Sequence, residues 1–368
     1  MQVPFIDLTA AYESQKSAID SAMKRVLASG WYILGEEVLQ FEEEFAGFCN
    51  SKRVVGVASG TDALLLALKA HDIRPGDDVI TVSHTAVATA AAIELSGARP
   101  VFIDVDPLTF TLDPSRLPEA LSPRTRAIIP VHLYGQPANM DEIMAFAEAH
   151  NLIVIEDCAQ AHGAKYYGRP AGSIGHAAAF SFYPTKNLGA VGDGGAIACQ
   201  DESIAKRLRE LRQYGWRLRY ISEEVGNNSR LDELQAAILR IKLGKLARDN
   251  EARRLAASLY NQMLQNTPLQ LPQERPGSDH VYHLYVVQAP QRDALRTFLA
   301  QREIATAVHY PVPVHLQPAY THHGYERGSL PFTEQLAYSV LSLPMFPQIS
   351  EAQVTAVAEA IRKFYTVT

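Results

Sequence analysis

Apolar residues change their spacing twice along this chain. Near the start they recur at helical intervals: Ile19, Met23, Val26 and Leu27 share one face, and Val38, Phe41, Phe45 and Phe48 another, with Gly30 and Gly35 between them. Two amphipathic helices are predicted there. From Val54 onward, short continuous apolar runs (54–58, 79–82, 100–104, 127–132 and 152–157) alternate with helical stretches (61–71, 85–96 and 140–150). The last of these stretches carries Met140, Ile143, Met144 and Ala147 on one face. Strands that are apolar throughout, and not only at every second position, are buried on both sides, and intervening helices supply the crossovers that parallel strands need. The pattern predicts an α/β protein with a mainly parallel sheet covered on both faces.

The second change comes after Ser229. Leu231, Leu234, Ile238 and Ile241 fall at helical spacing, and helix-forming residues continue to about Leu264, which predicts one long helix bridging two domains. Beyond 272–279 the style changes: a strand over 280–288, a helix over 293–302, a short strand over 306–309, a Pro-rich loop, and helices near 333–338 and 350–364. These form a smaller α+β domain. The expected division is a large domain at 1–245 and a small one at 246–368.

Composition narrows the function classes. The 368 residues are 47% apolar and 20% charged, enough for one large core and a smaller one. The 40 acidic against 34 basic residues give a formal charge of −6, and no Lys/Arg run forms a phosphate-tracking stripe, so nucleic acid is not an expected partner. Cys49, Cys158 and Cys199 have neither CxxC nor Cys/His ligand spacing, so no disulfide framework and no metal site are expected, and a reducing cytoplasm fits. The first residues lack a basic segment followed by an apolar one, and the longest apolar runs (64–68 and 86–93) are too short to span a bilayer. A soluble protein without membrane contact is expected.

The candidate chemistry centres on Lys186. It follows the apolar run Ala177 to Phe182 and precedes a turn ending in Asp193-Gly194-Gly195. A lysine in that position is poorly solvated, which favours the neutral, nucleophilic amine. Asp157 ends the apolar strand that begins at Leu152. A lysine for a Schiff base and a carboxylate that keeps the pyridine nitrogen protonated are the two protein groups pyridoxal 5'-phosphate (PLP) needs. Ala58-Ser-Gly-Thr-Asp-Ala63 follows a strand and opens an apolar helix, so the amides of Gly60, Thr61 and Asp62 form an anion site at a helix N-terminus, although a simple capped turn uses the same residues. Ser181 adds a hydroxyl for the phosphate, and Gln160 an amide for the phenolic oxygen of the ring. Asp157 would equally serve as a cap for the turn after it, and Glu156, on the other side of the strand, is expected to be structural. GxGxxG is missing from Gly56-Val-Ala-Ser-Gly60, which argues against a dinucleotide-binding oxidoreductase.

Five blocks, Ser59-Gly-Thr-Asp-Ala63, Glu156-Asp-Cys-Ala-Gln160, Phe180-Ser-Phe-Tyr-Pro-Thr-Lys-Asn187, Gly192-Asp-Gly-Gly195 and Asn227-Asn-Ser-Arg-Leu-Asp-Glu-Leu-Gln-Ala236, together resemble the nucleotide-sugar aminotransferases of the DegT/DnrJ/EryC1/StrS type. The resemblance covers nearly the whole chain. It implies the PLP fold-type I (aspartate aminotransferase-like) architecture with a seven-stranded sheet, a homodimer with shared active sites, and L-glutamate as amino donor. By position, Lys186 resembles the Schiff-base lysine, Asp157 the pyridinium partner, Gln160 the group at the ring oxygen, and Gly60, Thr61, Asp62 and Ser181 the phosphate site. Asn228 resembles a residue that reaches the phosphate from the other subunit. The family often has an aromatic residue where Ala86 stands, stacked on the cofactor ring; His84 is the flat group nearby that is expected to take its place, with apolar contacts alone as the alternative.

A nucleotide-linked ketosugar also needs contacts of its own. Arg217, Arg219, Tyr220 and Arg230 flank the loop at Gly226 to Asn228 and suit a diphosphate across a dimer interface, with surface charge as the alternative reading. Tyr183 and the Pro-bounded His309, Tyr310 and His315 are candidates for sugar hydroxyls, with a packed connector of satisfied histidines as the alternative reading for His315 and His309. The 228–236 block together with His132-Leu-Tyr-Gly-Gln-Pro137 looks most like the branch that aminates C3 of dTDP-linked 3-keto-6-deoxyhexoses, giving dTDP-3-amino-3,6-dideoxyhexoses. The alternatives are a C4 or UDP-linked ketosugar, or a non-catalytic regulator on the same fold. The resemblance implies a cytoplasmic supply of aminosugar for a surface polysaccharide such as lipopolysaccharide O-antigen, or for a glycosylated metabolite.

Overall fold

A computed structural model describes residues 1–367. Its centre is a seven-stranded sheet built from β1 (Arg53–Val57), β2 (Asp78–Val82), β3 (Arg99–Ile103), β4 (Thr125–Ile128), β5 (Ile153–Asp157), β6 (Ala177–Ser181) and β7 (Gly195–Cys199). The spatial order is β1-β7-β6-β5-β4-β2-β3. Strand β7 pairs antiparallel with both β1 and β6, while the other pairings are parallel. One reversed strand in seven is the mainly parallel sheet that continuous apolar runs predict.

Helices cover both faces, as the buried strands require. The opening helices are α1 (Leu8–Glu13), α2 (Lys16–Ser29) and α3 (Glu36–Cys49), followed by α4 (Gly60–Ala70), α5 (Val87–Leu95), α6 (Met140–His150) and α7 (Glu202–Leu211). Helices α4, α5 and α7 bury Leu64 to Leu68, Ile93 and Leu208 against Val55, Ile129 and Ile197. On another side Phe41 and Phe45 of α3 pack edge-on against Phe180 and Phe182 around β6. Helix α6 buries Met140, Ile143 and Ala147, with Met144 at the margin of that core. In α2 the buried face is Ile19, Ala22 and Val26, and Leu27, expected inside, is 53% exposed.

The long bridging helix is two helices, α8 (Glu233–Leu243) and α9 (Leu246–Leu264), broken at Gly244-Lys245. Glycine lacks helix propensity, and just before the break Lys242 of α8 donates to the Gly189 carbonyl at 2.6 Å, which ties this helix to the active-site loop. Leu231 lies before the helix. The C-terminal part contains β8 (Tyr285–Gln288), α10 (Arg292–Ala300), α11 (Pro331–Ser339), β9 (Val340–Leu343) and α12 (Glu351–Val367). Strands β8 and β9 pair antiparallel. The strand expected over 306–309 is a single bridge from Ala307 to Ser342, and that over 280–288 is regular only in its second half. Val3 and Ile304 form a bridge, so the C-terminal core takes in the start of the chain as well. None of the helices described is long and apolar enough to cross a membrane.

Candidate active site

At the C-terminal ends of the parallel strands lies a cavity of about 250 Å³, lined among others by Gly60, Thr61, Ala86, Asp157, Gln160, Ser181, Tyr183 and Lys186. Open α/β sheets bind ligands at this edge, where helix N-termini and strand-end side chains converge. Lys186 sits in the loop after β6. Its amide donates to the Tyr183 carbonyl, the Ala190 amide to the Phe182 carbonyl, and Asn187 Nδ2 to Asn250 Oδ1 of α9 and to the Val281 carbonyl. The loop is therefore fastened at three places. Burial pushes the Lys186 amine down to about 8, with Asp157 pulling the other way, and Nζ makes no hydrogen bond or ion pair among the described residues. An amine so placed is neutral in a far larger fraction near neutral pH than an exposed lysine is.

Asp157 ends β5 and is 5% exposed. Thr89 Oγ1 donates to its Oδ2 at 2.8 Å and the Ala159 amide to its Oδ1 at 3.1 Å. Burial raises its proton affinity despite these bonds. A cationic ring nitrogen at this carboxylate would relieve that desolvation, which is a fit to PLP that this structure itself provides. Thr89 was not singled out from sequence. Thr85, just before the cap of α5, and Thr89, in its first turn, lie 3.1 Å apart, a contact that no helical periodicity in the sequence announces.

The anion site is built by close packing. A Cβ on Gly60 would come within 2.6 Å of Ser181 Cβ, and one on Gly195 within 2.3 Å of the Ser59 carbonyl oxygen, so both positions demand glycine. Gly60 opens α4 directly beside Ser181 of β6. Ser59 Oγ caps the helix by accepting from the Asp62 amide at 3.1 Å, and Ser229 Oγ donates to the Asp62 carboxylate at 2.8 Å. The capped turn and the anion site are thus parts of one structure. The cavity wall there is Ser59, Gly60, Thr61 and Ser181, while Asp62, expected as a phosphate ligand, holds the turn from behind.

Other expectations need correction. His84 is 1% exposed and absent from the cavity wall: it bonds Tyr134 Oη at 2.8 Å and packs edge-on against Tyr134 and Phe110. Ala86 and Ala88 occupy the wall in its place, so no aromatic face is supplied at this point of α5. His315 is fully buried, with Nδ1 bonded to Ser83 Oγ at 2.7 Å and Nε2 to Glu334 Oε1 at 3.2 Å, which leaves it no access to a sugar. A strand-end serine and a carboxylate from α11 absorb both ring nitrogens.

Gln160 is fixed by the Tyr134 amide donating to its Oε1 at 2.7 Å, and its Nε2 donates to Tyr310 Oη at 3.1 Å. Tyr134 Oη in turn donates to the His309 carbonyl. His309 stacks on Phe5 and bonds Ser342 Oγ at 2.8 Å. Gln160, Tyr134, His309 and Tyr310 are therefore one connected group, and Tyr134 was missed because its role depends on contacts across 175 residues of chain. Tyr183 is 53% exposed at the cavity mouth. Arg219 lies over the Tyr220 ring at 4.9 Å, and Arg217 pairs with Glu223, both on the exposed hairpin of Trp216–Leu218 and Ile221–Ser222. Asn228 is exposed beside it, and neither it, Arg219, Tyr220 nor Arg230 lines this chain's own cavity.

The Gly60 turn, the Asp157 carboxylate and the Lys186 amine line one cavity, and the architecture is that of the PLP-dependent fold-type I aminotransferases. The chain belongs to the DegT/DnrJ/EryC1/StrS aminotransferase family, which it matches over residues 13–362. It is 49% identical over 364 residues to a dTDP-3-amino-3,4,6-trideoxy-alpha-D-glucose transaminase of Streptomyces venezuelae, covering 99% of this chain and 96% of that one. A "Pleiotropic regulatory protein" of Geobacillus stearothermophilus is 46% identical over 368 residues, 99% of both chains. The crystal structure of S. venezuelae DesV in complex with a ketimine intermediate superposes with a TM-score of 0.97, at 49% identity and over 99% of this chain and 98% of that one.

Proposed function

We propose that this chain transfers the amino group of L-glutamate to C3 of a dTDP-linked 3-keto-6-deoxyhexose, giving a dTDP-3-amino-3,6-dideoxyhexose. The observation that carries the reading is the desolvated, unpaired Lys186 amine on one cavity with the Asp157 carboxylate and the Gly60 turn. The names of the S. venezuelae relative and of a dTDP-3-amino-3,6-dideoxy-alpha-D-galactopyranose transaminase, 48% identical, support the sugar and the carbon.

Bound at this site, PLP supplies an electron-withdrawing ring that makes the hydrogen on the amino-bearing carbon acidic. Lys186 Nζ, neutral enough to accept a proton, takes it from glutamate and in the second half of the cycle returns one to the sugar carbon. Asp157, held by Thr89, keeps a proton at the ring nitrogen. Thr61, the Gly60 amide and Ser181 hold the phosphate. Gln160 holds Tyr310 at the sugar, with Tyr183 and His309 beside it. The nitrogen that leaves glutamate, forming 2-oxoglutarate, is the nitrogen the sugar gains.

The working unit in this reading is a homodimer. Asn228, Arg219, Tyr220 and Arg230 serve the partner's cavity, which accounts for their absence from this chain's own. Exposed Trp31, Tyr32, Ile33, Leu218, Tyr220, Ile221 and Val225 supply the apolar area that such an interface buries. A cytoplasmic location, with the aminosugar destined for a surface polysaccharide or a glycosylated metabolite, completes the reading.

The deciding experiment incubates the holoenzyme with L-glutamate and a panel of dTDP- and UDP-linked 3-keto and 4-keto sugars and locates the new amine by NMR. Turnover confined to dTDP-3-keto-6-deoxyhexoses is expected. Preference for a 4-keto or UDP-linked sugar would overturn the assignment of carbon or nucleotide, and no transfer to any member would favour a regulatory role of the kind the Geobacillus relative is named for.

A further inference from the structure

We propose that Glu94, His322 and His323 form a zinc-type divalent-cation site that clasps the 318–323 segment to helix α5. Glu94 stands in the last turn of α5, and the two histidines end the 3-10 helix Pro318–His323, some 229 residues further along the chain. Both Nε2 atoms converge on the same carboxylate oxygen, His322 from 3.4 Å and His323 from hydrogen-bond range. The three donor atoms all lie within 4.8 Å of one another. The 3.4 Å between His322 Nε2 and Glu94 Oε1 is that of two ligands on a tetrahedral ion with bonds of about 2.0–2.1 Å, while the direct His323–Glu94 hydrogen bond would open to admit the ion between them.

The chemistry of the donor set selects the ion. Two imidazole nitrogens and one carboxylate oxygen suit zinc and its neighbours, whereas calcium and magnesium take all-oxygen sets. Neighbouring histidines whose rings lie 4.0 Å apart compete for one acceptor oxygen, and a cation between the three donors satisfies them together. His323 is pre-set: its side chain is 6% exposed, stacked with Tyr320 and edge-on to Phe102. His322 is 60% exposed, so the fourth position opens to water and an ion has a way in. Arg99 is held by both carboxylate oxygens of Asp78 and does not compete for Glu94.

The site joins a helix that covers the sheet to the segment that follows the His309-Tyr310 loop, and it supplements the apolar contact of Ala90 and Phe102 with Val314 and Tyr320. Its effect is on stability by mass action, and it is independent of the aminotransferase reading. The test is calorimetric titration of tag-free, EDTA-treated holoenzyme with Zn²⁺, paired with the visible spectrum of the Co²⁺ form and with melting temperature. One ion per chain, a cobalt band of low-symmetry nitrogen-oxygen type, and a Tm raised by roughly 4 °C at saturation are expected. Glu94→Gln and His323→Ala should abolish binding, and His322→Ala, a change at a largely exposed side chain, should weaken it tenfold or more. Binding that persists unchanged in His322→Ala and Glu94→Gln, or no binding at all, overturns the proposal.

Discussion

Glu156 and Asp157 are consecutive carboxylates on one strand, both buried, and they have been put to opposite uses. Glu156 receives four donors: His132 Nε2 at 2.9 Å and the amides of Gly172, Ile174 and Gly175 at 2.9, 2.8 and 2.7 Å. Burial pushes its proton affinity up, but these donors more than reverse that and hold it below the ordinary value of 4.5. Asp157, on the other face of β5, has only Thr89 and the Ala159 amide, and burial wins: its proton affinity rises above the ordinary 3.8. Strand alternation sends the pair to opposite sides. What separates a structural carboxylate from one available for chemistry here is the number of donors each finds, since both are almost wholly out of water.

The largest effect that would sharpen this contrast is expected on the Asp157 side. Lys186→Met should cut kcat by about 10³-fold or more, because in the proposed cycle the same amine anchors the cofactor and carries the proton, and borohydride should no longer fix the cofactor to the chain. Retained turnover in that variant would break the comparison outright. Asp157→Asn should lower kcat by roughly 10²-fold while the holo absorption spectrum shifts, since an amide cannot keep the ring nitrogen charged.

Glu156→Gln is the mirror experiment. Its amide group would confront backbone donors, and breaking a buried pair of this kind costs about 3 kcal/mol, read as a lower urea midpoint, with kcat per folded molecule unchanged. The pH dependence separates the two carboxylates further. Glu156, with its folded proton affinity lowered, contributes stability that is present above 4.5 and lost as pH falls through its folded value. Asp157, shifted the other way, costs stability above its folded value, and that cost disappears as pH falls toward 3.8. In the cofactor-free protein, Asp157→Asn should therefore exceed wild type in stability at neutral pH and lose the advantage in acid, while the Glu156→Gln deficit shrinks over the acid range. Urea titrations across that range check both signs.

The smallest expected effect belongs to His315→Gln. It removes the bonds to Ser83 and Glu334 and should cost about 1–2 kcal/mol of stability with KM for the sugar unchanged. A large rise in KM at undiminished stability would restore His315 to the substrate site.

Much of the fold was legible because the strands are apolar without interruption and the helices between them are periodic, so sheet, layers and order of elements follow from burial alone. The break at Gly244-Lys245 was not, since a single glycine inside a helical pattern is often carried through without a stop. At the site, Lys186, Asp157 and the Gly60 turn were readable as local signals: a lysine after a strand, a carboxylate at a strand end, a glycine at a helix start. His84 and His315 misled because a histidine near a loop looks the same whether its ring nitrogens are free or bonded to Tyr134, Ser83 and Glu334.

By itself, then, the order of residues along the chain determined which groups stand at the sheet's C-terminal edge, because strand and helix periodicity decide where each element ends. Only the tertiary structure decided which of those groups remain available, because availability depends on donors brought from distant segments: Thr89 to Asp157, Ser229 to Asp62, Tyr134 to Gln160. Hydrogen bonds over such separations leave no local periodicity, and they are what divides the bonded polar residues of this protein from the reactive ones.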